Sequence, residues 1–197
     1  FTWMIFKKFF YKDVELDVPE SVYYPKEDSE LLASVIENMD IKGKHVLEVG
    51  CGCGFLSILM AKNKANVTAV DINPEAVEAI KTNAKENNVG LTAMISDMFE
   101  NVNDKFDLVV FNPPYLPVGE DENDITYSGG STGREIIEIF VSCVRNYLKK
   151  GGKVLTVISS LTGEKEVLEL FGQAGMRAKP VARKKIPWEQ LIVIMAE

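Results

Sequence analysis

From His45 onward, short apolar runs alternate with longer stretches in which apolar positions recur at helical spacing. That alternation predicts a mostly parallel sheet covered by helices on both faces. Val46 to Val49, Asn66 to Val70, Leu91 to Ile95, Leu108 to Phe111 and Lys153 to Ile158 read as buried strands. Leu56 to Asn63, Pro74 to Asn87, Arg134 to Leu148 and Glu164 to Gln173 read as helices between them. Asn73 and Pro74 suit a cap and a first helical turn, and Gly151-Gly152 are expected to close the helix that starts at Arg134.

The alternation breaks at the end. Arg177 to Val181 and Gln190 to Met195 follow each other with no helix between them, so they are expected to pair antiparallel. Upstream, Lys26 to Met39 reads as a helix with Glu27 and Asp28 at its start and Leu31, Leu32, Val35 and Ile36 on one face. The predicted fold is therefore α/β and Rossmann-like, with seven strands: a parallel core of five, then an antiparallel hairpin. A single domain spans residues 1–197, with 1–44 as an N-terminal extension and helix and 45–197 as the core. The aromatic stretch from Phe1 to Tyr11, interrupted by Lys7 and Lys8, lacks a signal peptide's cleavage site and is expected to pack on the core or on a partner.

Composition narrows the function. A chain of 197 residues with 46% hydrophobic and 26% charged residues is an ordinary globular length and mix. Its 22 basic and 29 acidic residues give a net charge of -7, which disfavours nucleic acid as a partner, the basic stretch Arg177 to Lys185 aside. No apolar run is long enough to span a membrane. The three cysteines make no disulfide framework, which points to a reducing, cytoplasmic setting. Cys51 and Cys53 lack the spacing and the second pair of a metal site, so no metal is expected.

Candidate chemistry begins where the first core strand runs into Glu48-Val49-Gly50-Cys51-Gly52-Cys53-Gly54 and then a helix. Glycines there allow a ligand close to the backbone. Phe55 stands where a dinucleotide fold places a third glycine, and no Lys-Ser or Lys-Thr follows as in a P-loop. Asp71, ending the second strand, is placed to accept from both hydroxyls of a ribose. Ser96-Asp97-Met98 follows the third strand, a carboxylate for an adenine amino group and a thioether to lie on the ring. In order and spacing these features resemble the cofactor face of class I S-adenosylmethionine methyltransferases.

The fourth strand ends in Phe111-Asn112-Pro113-Pro114-Tyr115. Two prolines leave carbonyls without neighbouring N–H donors, able to accept from a ligand. An amide or aromatic amine nitrogen is a weak nucleophile because its lone pair is delocalised. If the Asn112 oxygen and the Pro113 carbonyl each accept one N–H, the lone pair is aimed and the developing positive charge is stabilised. Tyr115 can cover the planar group. No general base is required, and the sole histidine, His45, begins a core strand.

The Asn-Pro-Pro-Tyr motif resembles both amino-methylating DNA enzymes and the HemK family of protein glutamine methyltransferases. Val22-Tyr23-Tyr24-Pro25-Lys26-Glu27-Asp28-Ser29, Asp71-Ile72-Asn73-Pro74-Glu75-Ala76 and Gly129-Gly130-Ser131-Thr132-Gly133-Arg134-Glu135 are similar to the HemK branch acting on archaeal and eukaryotic release factors. The resemblance implies N5-methylation of the glutamine in a release factor's Gly-Gly-Gln tip. It implies S-adenosylmethionine contacts from Ser29, Glu48, Gly50, Gly52, Gly54, Asp71, Ile72, Asp97, Met98 and Asn112, with Asn112 to Tyr115 catalytic. It also implies a small zinc-binding activator subunit, for which the third strand, expected at the sheet edge, offers a place. The acidic run Glu120 to Asp124 could meet a basic protein surface. Two other readings stay open: N6-methylation of adenine in DNA or RNA, and a cofactor-binding regulatory module without turnover.

Overall fold

A computed structural model describes residues 6–115 and 132–197. The acidic run 120–124 and residues 129–131 lie outside the described residues. Seven strands form a sheet in the order β5-β4-β3-β6-β7-β9-β8, and the chain divides into two compact units, residues 1–103 and 104–197.

The first unit carries β1 (Phe6–Tyr11), β2 (Val14–Pro19), α1 (Glu27–Ile36), β3 (His45–Val49), α2 (Phe55–Lys62), β4 (Asn66–Asp71), α3 (Pro74–Glu86) and β5 (Thr92–Ile95). β3, β4 and β5 pair in parallel. β1 and β2 form a separate antiparallel hairpin, in which Val14, Leu16 and Val18 alternate inward and are almost fully buried. This hairpin resolves the expectation for the N-terminal aromatics: Phe9 and Tyr11 meet the Phe55 ring edge-on at 4.8 and 4.9 Å. The tight turn at Lys12, in the left-handed region at φ 51°, carries no glycine and gave no turn signal. β5 ends the sheet order, as expected of the third core strand, but Thr92 and Ile95 are exposed where a buried strand was expected.

The second unit carries β6 (Phe106–Phe111), α4 (Glu135–Val144), β7 (Leu148–Ser159), α5 (Glu164–Gln173), β8 (Ala178–Ile186) and β9 (Glu189–Ala196). β6 and β7 are parallel, and β7, β9 and β8 are antiparallel in turn, as the hairpin expectation required. The helix expected from Arg134 to Leu148 ends at Val144, followed by a 3-10 turn. Gly151-Gly152 sit instead inside β7, in a bulge where Phe106 pairs with Leu148 but Leu108 already pairs with Lys153. A Cβ on Gly152 would lie 2.8 Å from the Phe106 carbonyl oxygen, so the glycine serves strand approach rather than helix termination. In β8, Lys179, Arg183 and Lys185 are exposed, so the basic stretch charges a terminal strand. Among the described residues no helix is long and apolar enough to cross a membrane.

Candidate functional site

In the first unit the glycine loop follows the carboxyl end of β3, with Gly50, Gly52 and Gly54 all at positive φ. Asp71, the last residue of β4, holds this loop. One carboxylate oxygen accepts the Gly52 N–H at 2.8 Å and the other accepts the Asn73 N–H at 2.9 Å. Asn73 in turn caps α3 by accepting the Glu75 N–H, which frees Asp71 from the capping role. Each Asp71 oxygen keeps further acceptor capacity. Burial raises its pKa above the ordinary value.

The Asp71 carbonyl accepts the Ser96 N–H at 3.0 Å, which brings the Ser96-Asp97-Met98 segment beside it. Asp97 is exposed, and the Ile72 side chain next to Asp71 is 66% exposed despite being apolar. A Cβ on Gly52 would find nothing nearer than Val22 at 3.7 Å, so the loop's surface is open and Val22-Tyr23 lies beside it. Carboxylate acceptors with capacity to spare, an uncovered apolar side chain and an open glycine loop fit the ribose and adenine of an adenosine.

Other candidates have different surroundings. Glu48 is 3% exposed and accepts the Ser57 hydroxyl, so it binds β3 to α2. Burial pushes its carboxyl up to about 8. Ser29 is buried at the start of α1, its N–H donating to Asp28 at 2.5 Å, and Tyr23 donates its hydroxyl to the same carboxylate at 2.8 Å. Cys51 and Cys53 are buried free thiols, Cys53 pushed up to about 12, and so stay un-ionised. Among the described residues no group of His, Cys, Asp and Glu could hold a metal ion.

One positioning residue escaped the sequence reading. Asn83 on α3 is fully buried; its amide donates to the carbonyls of Cys53 and Asp17, each at 2.9 Å, and its oxygen accepts the Asp17 N–H. Its signal was a polar residue inside the apolar stripe Ala76, Ile80, Ala84, which a satisfied buried amide explains.

In the second unit Asn112 follows directly on β6, and Phe111 packs on Phe140 of α4 at 4.6 Å between ring centroids. Pro113 is buried, while Asn112, Pro114 and Tyr115 are half-buried. The Tyr115 carbonyl accepts the hydroxyl of Thr162 at 2.9 Å. Asn112 thus stands at the carboxyl end of its strand, as Gly50 and Asp71 do at theirs, where open α/β sheets present ligands.

Residues 26–182 match the family model of the methyltransferase small domain. The chain belongs to that family. A Methanocaldococcus jannaschii protein, provisionally named a protein N5-glutamine methyltransferase, is 47% identical over 93% of this chain and 95% of its own length. Human methyltransferase HEMK2 is 30% identical, with 88% of each chain covered. In solved structures, a chain of the E. cuniculi Mtq2-Trm112 complex, described as responsible for methylation of the eRF1 translation termination factor, superposes with a TM-score of 0.75. It is 28% identical and covers 89% of this chain and 98% of that one. The T. thermophilus 16S rRNA methyltransferase RsmC, in complex with AdoMet and guanosine, shares the fold with a TM-score of 0.75 at 20% identity, over 100% of this chain and 51% of that one. The seven-strand Rossmann-like sheet with its C-terminal antiparallel hairpin, expected from the strand pattern, is thus the fold observed, and it is the fold of these methyltransferases.

Proposed function

We propose that this methyltransferase uses S-adenosylmethionine to methylate the side-chain nitrogen of a protein glutamine, in the Gly-Gly-Gln tip of a translation release factor. The observation that carries the reading is Asn112-Pro113-Pro114-Tyr115 directly after β6, in a chain 47% identical to a protein named for glutamine N5-methylation. When bound, S-adenosylmethionine supplies an electrophilic methyl on a positively charged sulfur. Gly50, Gly52, Gly54, Asp71, Ile72, Asp97 and Met98 would hold its adenosine, and Ser29, Glu48 and Asn112 complete the set of contacts.

The substrate nitrogen is a primary amide, planar and nearly non-basic. The side-chain oxygen of Asn112 accepts one of its two N–H groups and the Pro113 carbonyl accepts the other. Two acceptors on one nitrogen fix its plane and stabilise the positive charge that develops as it gives up its lone pair. Pro113 and Pro114 have no N–H, so the backbone there offers no donor to compete for those acceptors. Tyr115 lies over the amide and excludes water. The extra proton leaves to solvent once the nitrogen has become strongly acidic, so the chain needs no histidine or carboxylate base.

The same reading carries a cytoplasmic location, where release factors act, and a small partner subunit, by analogy with the complex from E. cuniculi. β5, a terminal strand with Ile95 half exposed, is its candidate seat.

The deciding experiment incubates the chain with S-adenosylmethionine and an archaeal-type release factor, with and without a small zinc-binding partner, and locates the added methyl by tandem mass spectrometry. One methyl on the Gly-Gly-Gln glutamine is expected, and none with Asn112→Ala. Transfer to adenine in DNA or RNA and none to protein would overturn the reading.

A further inference from the structure

Asn112 to Tyr115 poses a mechanical problem. Prolines at two successive positions remove the N–H groups by which a loop is ordinarily pinned, so this segment must be held through its carbonyls. In the second unit a buried hydroxyl does so. Thr162, in the turn between β7 and α5, is completely buried and donates its hydroxyl to the Tyr115 carbonyl at 2.9 Å. The same oxygen accepts the Ser159 N–H at 3.3 Å, which directs its single proton at Tyr115.

The Thr162 carbonyl makes a second tie. It accepts Nη1 of Arg134 at 2.6 Å, a short charge-assisted bond. Arg134 immediately precedes α4 and belongs to the Ser131-Thr132-Gly133-Arg134-Glu135 stretch, to which the proposed chemistry assigns no task. Its backbone is fixed as well, because its N–H donates to Glu135 at 3.1 Å. Gly163, at φ +92°, leaves room at this point: a Cβ there would lie 2.5 Å from the Glu166 carboxylate and 3.2 Å from Nη1 of Arg134.

We infer that Thr162, braced by Arg134, is a positioning residue that sets the aim of the Asn112 and Pro113 acceptors by fixing the Tyr115 carbonyl. This rests on the functional reading above. Neither residue touches substrate; both act through the backbone of the catalytic segment. Misplacing a positioned acceptor by about 1 Å can cost on the order of 100-fold in rate.

The test compares Thr162→Val, which keeps the shape and loses the hydroxyl, with Thr162→Ser, which keeps the hydroxyl, and with Arg134→Met. With the release factor as substrate, kcat should fall about 10- to 100-fold in Thr162→Val and recover to within about threefold of wild type in Thr162→Ser. Cofactor affinity by calorimetry should change by less than about threefold in all three, because only Asn112 among the proposed cofactor contacts lies in the tethered segment. Independently of activity, hydrogen exchange in the peptide covering 106–115 should quicken in Thr162→Val and Arg134→Met and not in Thr162→Ser. Wild-type exchange in Thr162→Val would overturn the inference. So would a Thr162→Ser variant as impaired as Thr162→Val, which would mark a packing role. Should Thr162→Val fail to fold, Arg134→Met decides by the same exchange measurement. A wild-type chain inactive on glutamine would sink the functional reading while the exchange data still judge the tether.

Discussion

The Asn83 amide donates to the Cys53 carbonyl at 2.9 Å, so a residue in the middle of α3 holds the glycine loop from behind. Because the same side chain also exchanges two hydrogen bonds with the Asp17 backbone, it fastens the β1–β2 hairpin to that loop. Asn83→Leu would leave these buried backbone groups unpaired at a cost of about 2 to 4 kcal/mol. Denaturant unfolding should show that loss, accompanied by weaker cofactor binding; a change below about 0.5 kcal/mol would mean the three bonds are not made in solution.

Asp71 accepts two backbone N–H groups, one on each oxygen. Asparagine at this position has one acceptor oxygen, so its amide nitrogen must oppose either Gly52 or Asn73. Asp71→Asn should weaken S-adenosylmethionine binding about 10- to 100-fold, because it loses both a charged acceptor for the ribose and a fixed loop. Calorimetric titration would measure this. Unaltered affinity in Asp71→Asn would remove Asp71 from the adenosine site.

Much of this candidate site can be read from the sequence because its residues sit at strand ends, where a change of residue type coincides with a change of periodicity. Asp71 and Asn112 each close a buried run and are read that way. Asn83 and Thr162 announce themselves differently. Their importance lies in which distant backbone groups they reach, Cys53 for one and Tyr115 for the other, and linear spacing carries no such information. The misread helix end has the same root. Gly151-Gly152 looks like a stop signal, and only the pairing of Phe106 with Leu148 and of Leu108 with Lys153 shows that it is a bulge. The N-terminal hairpin was missed because its turn uses Lys12 and Asp13 without glycine or asparagine.

Gly54 packs against Ile80. Its φ is +89°, and a Cβ would lie 2.4 Å from Cγ1 of Ile80 and 2.9 Å from Cδ1. Gly54→Ala therefore combines backbone strain with overpacking and should destabilise by about 2 to 4 kcal/mol. Adding Ile80→Ala relieves the clash and leaves the strain, so thermal melts of the double variant should lose less than the sum of the two single losses. Strict additivity would show that the two positions do not touch.

Glu48 makes stability depend on pH in an unusual direction. Its carboxyl, raised by burial from 4.5 to about 8, favours the protonated form in the folded chain. The unfolded chain releases that proton near the ordinary glutamate value, so the stabilisation is complete below about 4.5 and is lost as pH rises through about 8. Glu48→Gln keeps an acceptor for the Ser57 hydroxyl and cannot ionise. In the absence of cofactor, its melting temperature relative to wild type should climb steadily between pH 5 and pH 8, by an amount on the order of a few kcal/mol in stability. Above about pH 8 the difference should level off, because both states of the wild-type chain are then ionised. A gap that stays constant across that range would show that Glu48 is already charged in the folded protein, held there by partners beyond Ser57.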